Sequence, residues 1–220
     1  MSSQNQFIQI RSALDADAVR LVAVSKVQPV KAIIQLYELG QRDFGENYVQ
    51  ELVDKFQQLP KDIRWHFIGH LQTNKVKFIA PFIHLIQGVD SLKLLKEINK
   101  QAARSQRVIS VLLQVHIAEE ETKFGFNEDE LHEIINYVHV EKPGNVDIKG
   151  LMGMGSFSSD NEKIRQEFKK LKGLWDQYFS KENEHILSMG MSSDYNIAIE
   201  EGSNMVRIGS LLFGSRNAFK

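Results

Sequence analysis

Leu21-Val22-Ala23-Val24-Ser25-Lys26-Val27 is the stretch whose reading decides the fold. It is an apolar, β-branched run with no polar alternation, as expected of a strand covered on both faces. It ends by presenting a single lysine. Upstream, Phe7, Ile10, Leu14 and Val19 recur at helical spacing and predict a helix over 7–20. Downstream, Pro29 opens a helical pattern over 30–39 that Gly40 stops, the expected placing of proline and glycine.

The strand–helix unit then recurs along the whole chain. Strands are expected at 43–47, 64–69, 83–89, 108–117, 146–152, 185–189 and 205–208. Helices are expected at 48–59, 74–79, 92–105, 129–140, 162–178 and 195–201, with Asp90-Ser91 able to cap the one beginning at 92. That gives eight strands, each but the last clearly followed by a helix. Alternating apolar strands and helices imply an α/β fold with a parallel sheet. Eight units point to a closed (β/α)8 (TIM) barrel, for which about 250 residues is typical and 200 is near the floor. At 220 residues, a single domain over 1–220 is expected. The alternative, a doubly wound open sheet, would be favoured by a GxGxxG turn after the first strand, which is absent.

The totals remove several function classes. With 27 basic and 28 acidic residues the net charge is −1, so no global field draws the chain to nucleic acid or an acidic membrane. There are no cysteines, which excludes disulfides, thiolate nucleophiles and iron–sulfur ligation. The polar start Met1-Ser2-Ser3-Gln4-Asn5-Gln6 lacks the apolar core of a signal peptide. No apolar run approaches the roughly 18 residues of a membrane span. The expectation is a soluble cytoplasmic protein.

In such a barrel the chemistry sits at the carboxyl ends of the strands, with phosphate often held after strands seven and eight. Lys26 ends the first strand. Partial burial would lower its pKa and make it a nucleophile for an aldehyde, whereas the ordinary alternative is a solvated lysine. Arg207 sits within the last strand, so its charge needs a partner, and Gly209-Ser210 just beyond it suit a phosphate. The plainer alternative pairs Arg207 with a core carboxylate. Ser192-Ser193 could be phosphate donors or a plain helix cap. Asn47, at the end of the second strand, could bond a ring substituent or close the turn. His66 and His70 lie four apart on a strand and turn without a metal motif, so no metal site is expected.

Five stretches together carry a resemblance: Ala23–Lys26, Phe44–Glu51, Trp65–Lys75, Ser188–Tyr195 and Gly202–Gly214. In order and over nearly the whole chain they resemble the pyridoxal phosphate homeostasis protein family. The resemblance implies an alanine-racemase-like barrel of fold type III that binds pyridoxal 5'-phosphate (PLP) and serves vitamin B6 balance. Carried over by position, it makes Lys26 the Schiff-base lysine and brings Arg207 to the pyridine nitrogen. It gives Ser192, Ser193, Gly209 and Ser210 to the phosphate, and Asn47 to the ring. His116 stands where the family pattern has asparagine. Lys123 is a candidate second amine beside three glutamates.

The racemases that share this barrel take an opposing tyrosine from an additional domain of the partner subunit. Here the chain ends at Lys220, shortly after Phe213-Gly214. The expectation is therefore a monomeric PLP binder without robust turnover, with PLP-dependent apo-enzymes as candidate acceptors. The alternatives are a PLP-dependent amino-acid racemase or related enzyme, and a barrel for another phosphorylated metabolite with Lys26 non-covalent.

Overall fold

A computed structural model describes residues 3–118, 124–179 and 184–214. Eight parallel strands close into one barrel in sequence order: β1 (Arg20–Val24), β2 (Asp43–Glu46), β3 (Arg64–Phe67), β4 (Leu85–Val89), β5 (Ile109–Val115), β6 (Val146–Gly153), β7 (Ile186–Ser188) and β8 (Met205–Ile208). Closure is made by β8 on β1, with Arg20 opposite Met205 and Ala23 opposite Ile208. The expected barrel is thus observed and the open-sheet alternative is not.

Around it run α1 (Ser3–Ala16), α2 (Val30–Glu38), α3 (Val49–Gln58), α4 (Val76–Ile79), α5 (Leu92–Arg104), α6 (Glu128–Glu141), α7 (Asn161–Tyr178), α8 (Tyr195–Glu200) and α9 (Ser210–Phe213). The helix starts follow their chemistry. Ser91 Oγ accepts from Leu94 N at 3.3 Å, and Asn127 with Glu130 forms a full capping box. None of the described helices is long and apolar enough to cross a membrane.

Two differences from the sequence reading concern the site. β1 ends at Val24, so Lys26 lies in the turn beyond the strand rather than on it. The last strand is also followed by a helix, the short α9, which Ser210 begins.

The core has two parts because each strand is buried on both faces. Val22, Leu85, Leu112, Met152, Ile186 and Met205 fill the inside of the barrel. A larger set, including Phe44, Trp65, Phe67, Val111, Leu113 and Val206, packs with the helices. The alternation depends on a bulge in β6. The register passes from Val111 opposite Ile148 to Leu112 opposite Gly150, leaving one extra residue on β6. The extra residue is Lys149; Gly150 beside it sits at φ +142°, and a Cβ there would lie 2.0 Å from the Ile186 carbonyl oxygen. Gly150→Ala is therefore expected to break the β6–β7 pairing. Its cost should be at least about 2 kcal/mol, from backbone strain and overpacking together. Urea unfolding checks this, and an unchanged midpoint would contradict the bulge.

Candidate functional site

The carboxyl ends of the strands surround a cavity of about 450 Å³. Lys26, Asn47, Ser192, Ser193, Arg207, Gly209 and Ser210 all line it, so the structure brings every sequence-derived site residue together. His116 does not line it; its backbone N–H instead donates to Phe126 O at 2.9 Å. Lys123 lies outside the described residues.

The turn after β1 presents Lys26. Gln28 N donates to Ser25 O at 3.0 Å, and Val27 is held at φ +61°. Opposite, the Ser192–Gly209 contact joins the ends of β7 and β8. Gly209 N donates to Ser192 Oγ at 3.2 Å, which leaves the hydroxyl proton of Ser192 to donate elsewhere. Neither serine caps α8: its N-cap is Asp194, whose Oδ1 accepts from Met191 N at 2.5 Å. The helix-cap alternative therefore falls away.

Asn47 follows β2, and its Oδ1 is buried with no hydrogen-bond partner. A buried orphan of this kind costs free energy unless a ligand or water satisfies it. The Asn47 backbone is packed so closely that a Cβ on Gly69 would stand 2.5 Å from Asn47 O. Glycine at 69 is what lets the β3 loop seat Asn47 there.

Arg207 is only 4% exposed and has no carboxylate in hydrogen-bond contact. Its Nη1 donates to Ser188 O at 2.9 Å and Ser188 Oγ at 2.6 Å, and its Nη2 donates to Gly153 O at 2.9 Å. Nε makes no hydrogen bond among the described residues. Burial lowers the guanidinium to about 10, with Asp194 opposing, so it stays charged at neutral pH.

From Arg207 a polar chain runs down the inside of the barrel. Ser188 Oγ meets Gln87 Oε1 at 2.7 Å, Gln87 Nε2 meets His66 Nδ1 at 3.0 Å, and His66 Nε2 meets Asp43 Oδ1 at 2.9 Å. Arg64 closes it with a bidentate pair onto Asp43, at 2.8 and 2.5 Å. Burial alone would raise the Asp43 carboxyl, but hydrogen bonds from Arg64 and His66 outweigh it and hold it well below its usual range. His66 is therefore a structural element of the core. His70 points elsewhere, is exposed, and bonds Asp90 at 2.7 Å. The two histidines do not converge. Asp43, His66 and His84 do offer ligand atoms within 4.8 Å of one another, but Arg64 and His66 already occupy the Asp43 carboxylate.

Gln28, Ile68, Met154, Phe157, Met191 and Leu211 also line the cavity and escaped the sequence reading. Ile68, Met191 and Leu211 stood inside quoted stretches. Phe157 is 94% exposed in the loop after β6, where no periodicity could flag it.

Residues 4–217 match the family described as alanine racemase, N-terminal domain. Pyridoxal phosphate homeostasis protein of Aquifex aeolicus is 41% identical over 209 residues, covering 94% of this chain and 91% of the relative. The human protein of that name is 40% identical over 221 residues, covering 94% and 80%. This chain belongs to the pyridoxal phosphate homeostasis protein family. Among solved structures it is similar to PipY of Synechococcus elongatus with PLP bound, at a TM-score of 0.85 and 31% identity, covering 97% of this chain and all of that one. The alanine racemase of Streptomyces lavendulae shares the fold at a TM-score of 0.71 and 14% identity, with 94% of this chain covering 56% of the enzyme.

Burial pushes the His66 ring below the ordinary imidazole value of 6.5, against the pull of Asp43. A fold that holds a ring neutral is stabilised above that value and loses stability as pH falls below it. His66 is thus expected to be less protonated than a free imidazole at any pH below 6.5, with the proton of its neutral ring on Nε2. Nitrogen-detected NMR reads this directly, and a ring half-protonated near pH 6.5 would contradict it.

Proposed function

We propose that this protein binds pyridoxal 5'-phosphate as a Schiff base on Lys26 and serves intracellular PLP balance without robust turnover. The observation that carries the reading is the meeting, in one cavity, of an amine, a hydroxyl-rich corner and an unsatisfied amide oxygen. The homologues' shared name and the PLP-bound PipY structure support it.

PLP supplies an aldehyde for an amine and a ring that withdraws electrons from an attached carbon. Ser192, Ser193, Gly209 and Ser210 would hold its phosphate, with the free hydroxyl proton of Ser192 donating. Arg207 would turn Nε to the ring nitrogen. An always-charged arginine opposes protonation of that nitrogen, so the ring is a weak electron sink. Asn47 would take a ring substituent through its orphaned amide.

Lys26 can move a proton on one face of the bound group. Among the described residues lining the cavity there is no histidine, tyrosine or carboxylate to serve the other face. A missing positioned acid–base group typically forfeits about 10²–10⁴ in rate. This supports a binding protein over the alternative of an amino-acid racemase. The reading takes the protein as a monomer in the cytoplasm, with PLP-dependent apo-enzymes as the acceptors of its PLP.

Two arms test the proposal. PLP-loaded protein should show a visible imine band, and Lys26→Ala should lose it while remaining folded. Amino acids incubated with loaded protein in D2O should exchange their α-protons very slowly or not at all by NMR. A full-intensity band in Lys26→Ala would remove the covalent assignment. Turnover near the ordinary enzyme median of about 10 s⁻¹ would establish the racemase reading instead.

A further inference from the structure

The turn that presents Lys26 is gripped from outside the barrel by a buried ion cluster. Lys55 lies in α3, where the sequence alone would leave it a solvated lysine on an amphipathic helix. Instead its side chain is 6% exposed. Its ammonium has three protons to donate. They go to Ser25 O at 2.6 Å, Glu46 Oε1 at 2.7 Å and Glu51 Oε1 at 2.6 Å.

Each acceptor belongs to or bonds a residue flanking Lys26. Glu46 Oε1 also accepts from Ser25 Oγ at 2.6 Å, so Ser25 is held at both its carbonyl and its hydroxyl. Glu51 Oε1 also accepts from Val27 N at 2.6 Å. Val27 is β-branched yet sits at φ +61°, a conformation that such residues avoid. The cluster thus fixes the residue before Lys26 and strains the residue after it.

Stability does not explain this arrangement. Buried ion pairs are weak stabilisers, because desolvation offsets their attraction. Here the offset is larger still, since the second oxygen of Glu46 is buried with no partner. Strain and unsatisfied polar atoms persist where the surrounding structure serves a site.

We propose that Lys55 is a positioning residue for the Lys26 amine: through Ser25, Glu46 and Glu51 it fixes the direction in which Lys26 enters the cavity. The proposal rests on the reading that Lys26 forms the Schiff base. In that condensation the neutral Lys26 nitrogen bonds to the aldehyde carbon, and the aldehyde oxygen leaves as water with two amine protons. The step depends on where the nitrogen stands. Among the described residues the phosphate corner, beyond the ends of β7 and β8, has no hydrogen bond to the cluster.

The test compares PLP with pyridoxine 5'-phosphate, which carries the same ring and phosphate but a hydroxymethyl group that cannot condense. Wild type, Lys55→Met, Glu51→Ala and Lys26→Ala are titrated with each, and the rate of appearance of the visible band is followed. Methionine fills the space of Lys55 without its charge. Glu51 is partly exposed, so its removal spares the core and decides the matter should Lys55→Met fail to fold. For a positioning role, both variants lose PLP affinity and band-formation rate by about tenfold or more, as a misplaced reacting atom implies. Their pyridoxine 5'-phosphate affinity stays within about twofold of wild type. Equal losses for both ligands, or wild-type PLP binding and rate in folded Glu51→Ala, would overturn the proposal. If instead Lys26→Ala keeps the band, the Schiff-base reading fails, and that failure is separate from the behaviour of the other variants.

Discussion

A guanidinium buried inside a barrel must be given oxygens, and Arg207 imposes that demand on the interior of this protein. Arginine only donates hydrogen bonds. Ser188 Oγ therefore accepts from Arg207 and must turn its own proton to Gln87 Oε1. Gln87 is then left with its NH₂ to offer His66 Nδ1, so the histidine proton sits on Nε2 and points to Asp43. Arg64, a second pure donor, meets Asp43 from the other end. Two arginines thus fix the direction of every bond between them. The chain ties the orientation of a cavity-lining side chain to the opposite end of the barrel. The surrounding apolar layer, Val22, Leu85, Leu112, Met152, Ile186 and Met205, keeps water from competing for these bonds.

The same logic, polar atoms arranged at a cost, separates this site from an ordinary barrel mouth. Arg207 keeps Nε unengaged, Asn47 keeps an orphaned oxygen, and Ser192 keeps a free proton, all on one cavity. The buried Asn47 oxygen is costly without a partner, and all three atoms could bond to a phosphorylated aromatic aldehyde. Around Lys26 the cost is conformational at Val27 and one of desolvation at the buried Lys55–Glu46 pair. What the cavity lacks, among its described residues, is a second group to exchange protons across the ring.

The barrel was legible because apolar, β-branched stretches alternate with helical spacing, as in 21–24 and 111–113. That the seven candidates would share one cavity was legible because strand ends are where a barrel places chemistry, and because the motifs around Lys26, Ser192 and Arg207 resemble a known family. Other features were not legible because they depend on contacts between distant positions. Lys55 reads as a surface residue until α3 is laid against β2. Gly150 reads as an ordinary strand glycine until the β5–β6 register shows the bulge. Gln87 and Ser188 are 101 positions apart, and no local pattern marks them as partners. Phe157 reaches the cavity from a loop, where periodicity carries no information.

The central claim is that Lys26 is the residue that holds the cofactor. Borohydride reduction of PLP-loaded protein, followed by proteolysis and peptide mass mapping, tests it most directly, since reduction makes the bond permanent at the lysine that formed it. The account predicts a pyridoxyl group on the peptide containing Lys26 and stoichiometric loss of the visible imine band. An adduct confined to another lysine, Lys123 or Lys55 among them, or a loaded protein with no reducible bond, would contradict it.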